Sequence, residues 1–170
     1  MTDPATLERF STLLSNDYVP SVGGWVQVDL NAGVSTVLNA FNTLGPQSVE
    51  LFLIDQAGQV SEARLPRTGS HLVTGADIGP DGRLYLVLRE YSLLFGVSIR
   101  VMRYRLGPDG LPLPDSAETL AAFETASGID NMEGIALDRG PGGDIRLWLI
   151  SDDNFQFPQR TLLVRFDVLQ

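Results

Sequence analysis

The chain has 170 residues, 44% of them apolar, which suits one domain with a real core, or a part of a larger one, and is too apolar for disorder. Its 12 basic side chains face 21 acidic ones for a net charge of −9, so there is no general electrostatic case for nucleic acid or an anionic lipid surface. A partner that brings positive charge, such as a metal ion, fits better. The absence of cysteine excludes disulfides, thiolate nucleophiles and cysteine metal sites. Every basic residue is arginine, which removes lysine Schiff-base chemistry and the P-loop lysine. The lone histidine, His71, excludes any site built on two imidazoles.

The opening MTDPATLERF lacks the basic-then-apolar grammar of a secretory leader, and no apolar run approaches the roughly 18 residues of a membrane span. The compartment stays open: a cytoplasmic protein, or a sequence that starts after its leader. Asp3 as a cap, Pro4 at the first helical position and Leu7, Phe10, Leu13 and Leu14 at helical spacing predict a short N-terminal helix. After Pro20 the pattern turns to β-rich runs. Trp25 to Leu30, Val34 to Leu38, Leu51 to Ile54, Arg83 to Leu88, Ser98 to Leu106, Ile145 to Ile150 and Thr161 to Val168 are the expected strands. Turn signals separate them, among them Pro80-Asp81-Gly82, Pro108-Asp109-Gly110 and Pro141-Gly142-Gly143. Ser116 to Thr125 is ambiguous between helix and an outer strand.

Internal repetition carries more information. The hairpin from Trp25 to Leu38 is echoed from Leu51 to Leu65: an apolar strand ending in Asp, a turn with Ala-Gly, then a more polar strand. GADIGPDGRLYLVLREYS, from Gly75, is paralleled by GIALDRGPGGDIRLWLISDDNF, from Gly134. Each has a short strand, a Pro/Gly turn, an apolar strand with a central aromatic (Tyr85, Trp148) and an acidic loop. The repeat is slightly longer than the roughly 40–50 residues of common propeller blades, whose inner strands line a channel. An all-β fold of propeller blades follows.

DNMEGIAL from Asp130 and SDDNFQFPQRTLLVRFDV from Ser151 resemble the phytase-like β-propeller family described as having esterase-like activity. Val73 to Ser92 and Gly96 to Tyr104 fit the same family, and the likeness runs over about the last 120 residues. The resemblance implies a partial propeller of two to three four-stranded blades, corresponding to the C-terminal half of longer relatives. On that reading 1–20 hold the helix and a linker, 21–70 hairpins of one or two blades, 71–125 a complete blade and 126–170 a last blade without its outer strand. It further implies a bacterial, secreted or periplasmic setting and metal-assisted hydrolysis of phosphate or other esters.

Two readings stand for the acidic loop Asp152-Asp153-Asn154. Consecutive carboxylates beside an amide oxygen offer the hard oxygen ligands that calcium prefers, and Asp130, Asn131 and Glu133, with Asp77 and Glu90 at related positions one blade earlier, could join them. Alternatively the loop is a turn whose side chains bond their own backbone. Arg89, Arg100, Arg103, Arg105 and Arg160 are the groups for an anion. Arg103 and Arg105 alternate with apolar neighbours and are expected on an outer strand face. Arg160 follows the acidic loop and suits a pair with Asp152 or Asp153, or a ligand contact; with Arg89 and Asn154 it makes up the candidate ligand-binding set. His71 reads as an ordinary loop or strand-edge residue, because no G-x-S-x-G elbow accompanies it. Phe52, Tyr85, Trp148 and Phe166 read as core between blades.

Two functions remain. One is a module binding a divalent cation and a small anionic ligand; the other is a calcium-dependent hydrolase of phosphate or other esters. Open strand edges of a partial propeller lead us to expect a homodimer, or pairing with the missing N-terminal half.

Overall fold

The computed structural model describes residues 25–30, 34–39, 48–54, 59–92, 94, 96–124, 128, 131–153 and 159–169; for 25–30, 34–39, 50 and 52–54 only the backbone is described. The expected N-terminal helix and the side chain of Phe52 lie outside the described residues, as do Asp130 and Asn154.

The fold is all-β and antiparallel. The strands are β1 (Trp25–Leu30), β2 (Val34–Asn39), β3 (Ser48–Ile54), β4 (Val60–Pro66), β5 (Leu72–Ile78), β6 (Leu84–Ser92), β7 (Gly96–Tyr104), β8 (Glu118–Glu124), β9 (Met132–Arg139), β10 (Ile145–Ser151) and β11 (Leu163–Val168). They form hairpins β1-β2 and β3-β4, a four-stranded sheet β5-β6-β7-β8, and a three-stranded sheet β9-β10-β11. β2 lies beside β3, β1 beside β5, and β5 beside β9. Successive inner strands therefore stand next to one another, which is the arrangement of a partial β-propeller. Among the described residues no helix is long and apolar enough to cross a membrane.

The turn signals close in one common way. Gly82 N–H donates to Gly79 O at 2.8 Å, Gly110 N–H to Gly107 O at 3.0 Å and Gly143 N–H to Gly140 O at 2.9 Å. Each donor glycine has a positive φ (71°, 77° and 87°), the conformation in which a Cβ is strained. The ambiguous Ser116–Thr125 stretch forms strand β8 over Glu118–Glu124, preceded by one 3-10 turn at Pro114–Ser116. Ladder pairing with β7, with a bulge between Val101 and Met102, overrides its helix-favouring Ala, Glu and Leu.

Strand β6 explains why this sheet is the centre of the molecule. Alternation sends Leu84, Leu86 and Leu88 to one face, where they pack with Val49, Leu51, Ala63 and Leu65 of the β3-β4 hairpin. Tyr85 and Val87 go to the other face, against Met132, Leu147 and Leu149 of the last sheet. Both faces are buried. Phe123 of β8 stacks on Phe166 of β11 with ring centroids 5.1 Å apart.

The far face of the last sheet is a different surface. Register places Asp138, Arg146 and Asp167 in one row, Ala136, Trp148 and Arg165 in the next, and Gly134, Ile150 and Leu163 in the third. Arg146 binds Asp138 through two bonds of 3.0 and 2.7 Å, and Arg165 lies 5.9 Å over the Trp148 ring. Trp148 thus faces outward here, where the sequence predicts a core position, while Tyr85 and Phe166 do pack between sheets. A cleft of about 320 Å³ opens between β8 and β11, lined by Leu120, Phe123, Phe166 and Val168 among others.

Candidate functional site at one rim of the propeller

Strands β5, β7, β9 and β11 begin, and β6, β8 and β10 end, at the same edge of the sheets, here the upper rim. That shared polarity gathers residues far apart in sequence. Arg89, Glu90, Glu133, Asp152, Asp153 and Arg160 all lie there. Asp77 does not: it is at the far end of β5, opposite Tyr85.

Asp77 has a different job. Its Oδ1 accepts the Ile78 N–H at 2.8 Å and its Oδ2 the Leu137 N–H at 2.6 Å, which pins β5 to β9. Burial raises its pKa above the ordinary carboxylate value, against the two backbone bonds that lower it. Thr74 Oγ1 adds a bond to Met132 O at 2.9 Å, and Arg139 reaches Pro80 O at 2.9 Å. Arg103 departs from the outer-face expectation. Its guanidinium binds Glu118 at 3.1 and 2.7 Å and lies over the buried Tyr85 ring at 5.9 Å, so it is largely covered. Arg105 is exposed, as its alternation predicts.

On the upper rim, Asn131 is 1% exposed and central. Its Nδ2 donates to Glu133 Oε1 at 2.8 Å and to Asp152 O at 3.1 Å, and Asp152 N–H returns a bond to Asn131 O at 3.1 Å. These bonds lock the start of β9 to the end of β10. Arg89 Nη1 stands 3.7 Å from Glu133 Oε1, with both side chains partly open to solvent. Ser151 Oγ closes the acidic loop, donating to Arg160 O at 2.7 Å and accepting the Leu162 N–H at 2.8 Å. It is thus the carbonyl of Arg160 that the loop engages, while its side chain is exposed.

Of the expected calcium ligands, Asp77, Glu90, Glu133, Asp152 and Asp153 are among the described residues. Among the described residues no three histidine, aspartate or glutamate side chains stand close enough to hold an ion. Glu133 is turned to Asn131 and Arg89, Glu90 to a histidine, and Asp77 to backbone N–H groups.

That histidine, His71, sits at the edge of β5, immediately before Leu72. His71 is 3% exposed, with both ring nitrogens engaged. Nδ1 is 3.1 Å from Thr68 O and 3.3 Å from Glu90 Oε2; Nε2 is 3.1 Å from Ser98 Oγ. Ser98 Oγ is also 3.5 Å from Glu124 Oε1. Desolvation, with the nearby positive charge of Arg100, lowers the His71 pKa, and Glu90, the Thr68 carbonyl and Glu124 oppose the shift. Ser98 lies 27 residues from His71 and no sequence motif joins them. Only the β6-β7 register, which sets Glu90 opposite Ser98, brings the group together.

Residues 34–155 match the phytase-like family described as "Esterase-like activity of phytase". The chain belongs to that family. No curated protein matches it. Among solved structures, this phytase-like chain is similar to the soluble aldose sugar dehydrogenase of Escherichia coli in its apo-form, with a TM-score of 0.53 at 20% identity. The match covers 86% of this chain and 44% of that one, so the phytase-like chain spans less than half the length of its structural neighbour. At that identity the likeness concerns the fold.

Proposed function

We propose that the chain is a phytase-like propeller module whose upper rim binds a small anionic ligand of the phosphate-ester class, together with a divalent cation that accompanies it. The observation that supports this is the pairing of Arg89 with Glu133 at 3.7 Å, beside the Asp152-Asp153 loop. At that distance the guanidinium keeps donors available for an incoming anion. Exposed Arg160 borders the same loop and would add a second positive contact. Glu133, Asp152 and Asp153 would face the cation, with Asp130 and Asn154 as further oxygen donors from the adjoining segments; calcium suits such a set. Burial of charge in a phosphate–calcium pair is easier than burial of either ion, because each offsets the other.

The test is a thermal melt with calcium, magnesium, inorganic phosphate, calcium plus phosphate, and chelator. A ligand that binds only the native state at about 100 times its dissociation constant adds roughly 2.7 kcal/mol. For a chain of this size that is a rise of several degrees, largest with both ions present. Asp152→Asn with Glu133→Gln should abolish the calcium response while the protein stays folded. An unchanged melting point under all conditions would leave the acidic loop as a turn. Release of p-nitrophenol from p-nitrophenyl phosphate, dependent on calcium, would move the module from binder to hydrolase.

A further inference from the structure

We propose that Ser98, His71 and Glu90 form a serine-nucleophile site for small carboxylic esters, independent of any metal. Three observations carry it. The hydroxyl oxygen of Ser98 is 3.1 Å from His71 Nε2, within reach for proton transfer. Both neighbours of the other ring nitrogen, the Thr68 carbonyl and the Glu90 carboxylate, accept hydrogen bonds and cannot donate to it. Nδ1 therefore carries the proton, and Nε2 presents its lone pair to Ser98. This is the tautomer a general base requires, fixed by the same logic as in serine hydrolases of unrelated folds. Finally, the imidazole is buried while Ser98 and Glu90 are only half-buried and Glu124 is exposed, so the base is dry and the nucleophile is reachable.

Electrostatics agree with these roles. Desolvation and Arg100 favour the neutral imidazole of His71, and the carboxylate of Glu90 offsets the imidazolium that forms when it takes a proton. Arg100, two residues beyond Ser98 on the same face of β7, supplies positive charge for the oxyanion of the tetrahedral intermediate. Glu124, at 3.5 Å, is the longer and weaker alternative acceptor for the hydroxyl.

The reaction balances with water alone. Ser98 Oγ bonds to the ester carbonyl carbon as its proton passes to His71 Nε2. The ester C–O bond breaks, and the leaving alcohol oxygen takes that proton. Water then attacks the acyl carbon and gives a proton to His71, which returns it to Ser98 Oγ as the carboxylic acid departs. Ser98 and His71 are the catalytic residues; Glu90 and the Thr68 carbonyl are positioning groups.

A fluorophosphonate probe tests the site in chelator, because it bonds to an activated serine oxygen with loss of fluoride. The whole chain should gain one adduct, located by peptide mass spectrometry on Ser98. Ser98→Ala should lose the adduct together with hydrolysis of p-nitrophenyl acetate. Glu90→Gln preserves size and should slow labelling about tenfold or more with an unchanged far-ultraviolet spectrum. Ser98→Cys adds a second readout: as the only thiol in the chain, it should react with iodoacetamide at pH 6 faster than a free cysteine. Absence of an adduct, an adduct on another serine, or a folded Glu90→Gln variant labelled at the parent rate would each overturn the proposal. Loss of the calcium response by Asp152→Asn leaves this labelling intact, so the two rim sites fail separately.

Discussion

Asp77 Oδ2 accepts the backbone N–H of Leu137 at 2.6 Å, across 60 residues of sequence and between the inner strands of two neighbouring sheets. The other oxygen serves Ile78 N–H, so one carboxylate satisfies two donors that no strand ladder reaches. Asp77→Asn can keep only one of these bonds, because its amide nitrogen would face a backbone N–H. Relief of the buried charge works in the opposite direction, but the orphaned donor costs about 1–3 kcal/mol and should dominate. Urea denaturation is expected to show a lower midpoint with little change in slope.

Gly75 is the second device that holds β5 to β9. A Cβ there would meet Val87 Cγ1 at 2.8 Å and the Glu133 carbonyl at 2.9 Å. The carbonyl is backbone and cannot swing aside. Gly75→Ala should therefore push the strands apart and cost about 1–3 kcal/mol. Because β9 would move with Glu133, the melting-point response to calcium plus phosphate should weaken as well. Thermal melts of parent and variant, with and without both ions, check this.

The buried imidazole predicts an acid-sensitive fold. His71 faces Glu90, Glu124, Arg100 and the Thr68 carbonyl, and its folded pKa lies below the ordinary 6.5. The unfolded chain therefore takes up a proton first as pH falls through about 6.5, and stability drops until the folded value is passed. Above that window His71 contributes no pH dependence. His71→Gln should flatten the part of the stability curve between pH 7 and 5, while carboxylates still titrate below it. Chemical denaturation at several pH values separates the two regions.

Among the described residues β11 is the outermost strand of its sheet, and with the adjoining cleft this leads us to expect a second copy of the chain on this side. Leu163 is 66% exposed and Leu169 is 89% exposed, large apolar side chains that gain by being covered. Sedimentation should detect a concentration-dependent dimer. Leu163→Lys should shift it toward monomer with a change in monomer stability of less than about 0.5 kcal/mol, as for a surface position. A parent that stays monomeric at high concentration would remove the expectation.

What could be read from the sequence was local. The Gly-Pro-Asp-Gly turns are visible because each residue is chosen for a backbone angle or a side-chain acceptor within four positions. The alternation of Leu84 to Leu88 is visible because strand geometry has a period of two. Ser116 to Thr125 stayed ambiguous because pairing with β7, not composition, decides its state. The rim chemistry was the least legible. His71, Glu90 and Ser98 meet through a hairpin register, and Asp77 looked like a ligand because its partner, a backbone N–H, leaves no mark in the sequence. Asn131 is grouped by sequence with residues that could converge on the acidic loop, and it is through its amide nitrogen that it ties two strands together.

The outward face of the last sheet carries a consequence for evolution and engineering. Its rows of Asp138, Arg146, Asp167 and Trp148, Arg165 are a checkerboard of bound charge around one indole. An adjoining blade cannot cover that checkerboard with a generic greasy surface without stripping water from two acids and two arginines. Only a sheet bearing matched polar groups at the same spacing can dock there. A blade grafted beside this face would therefore need complementary polar groups at the same spacing as well as hydrophobic area.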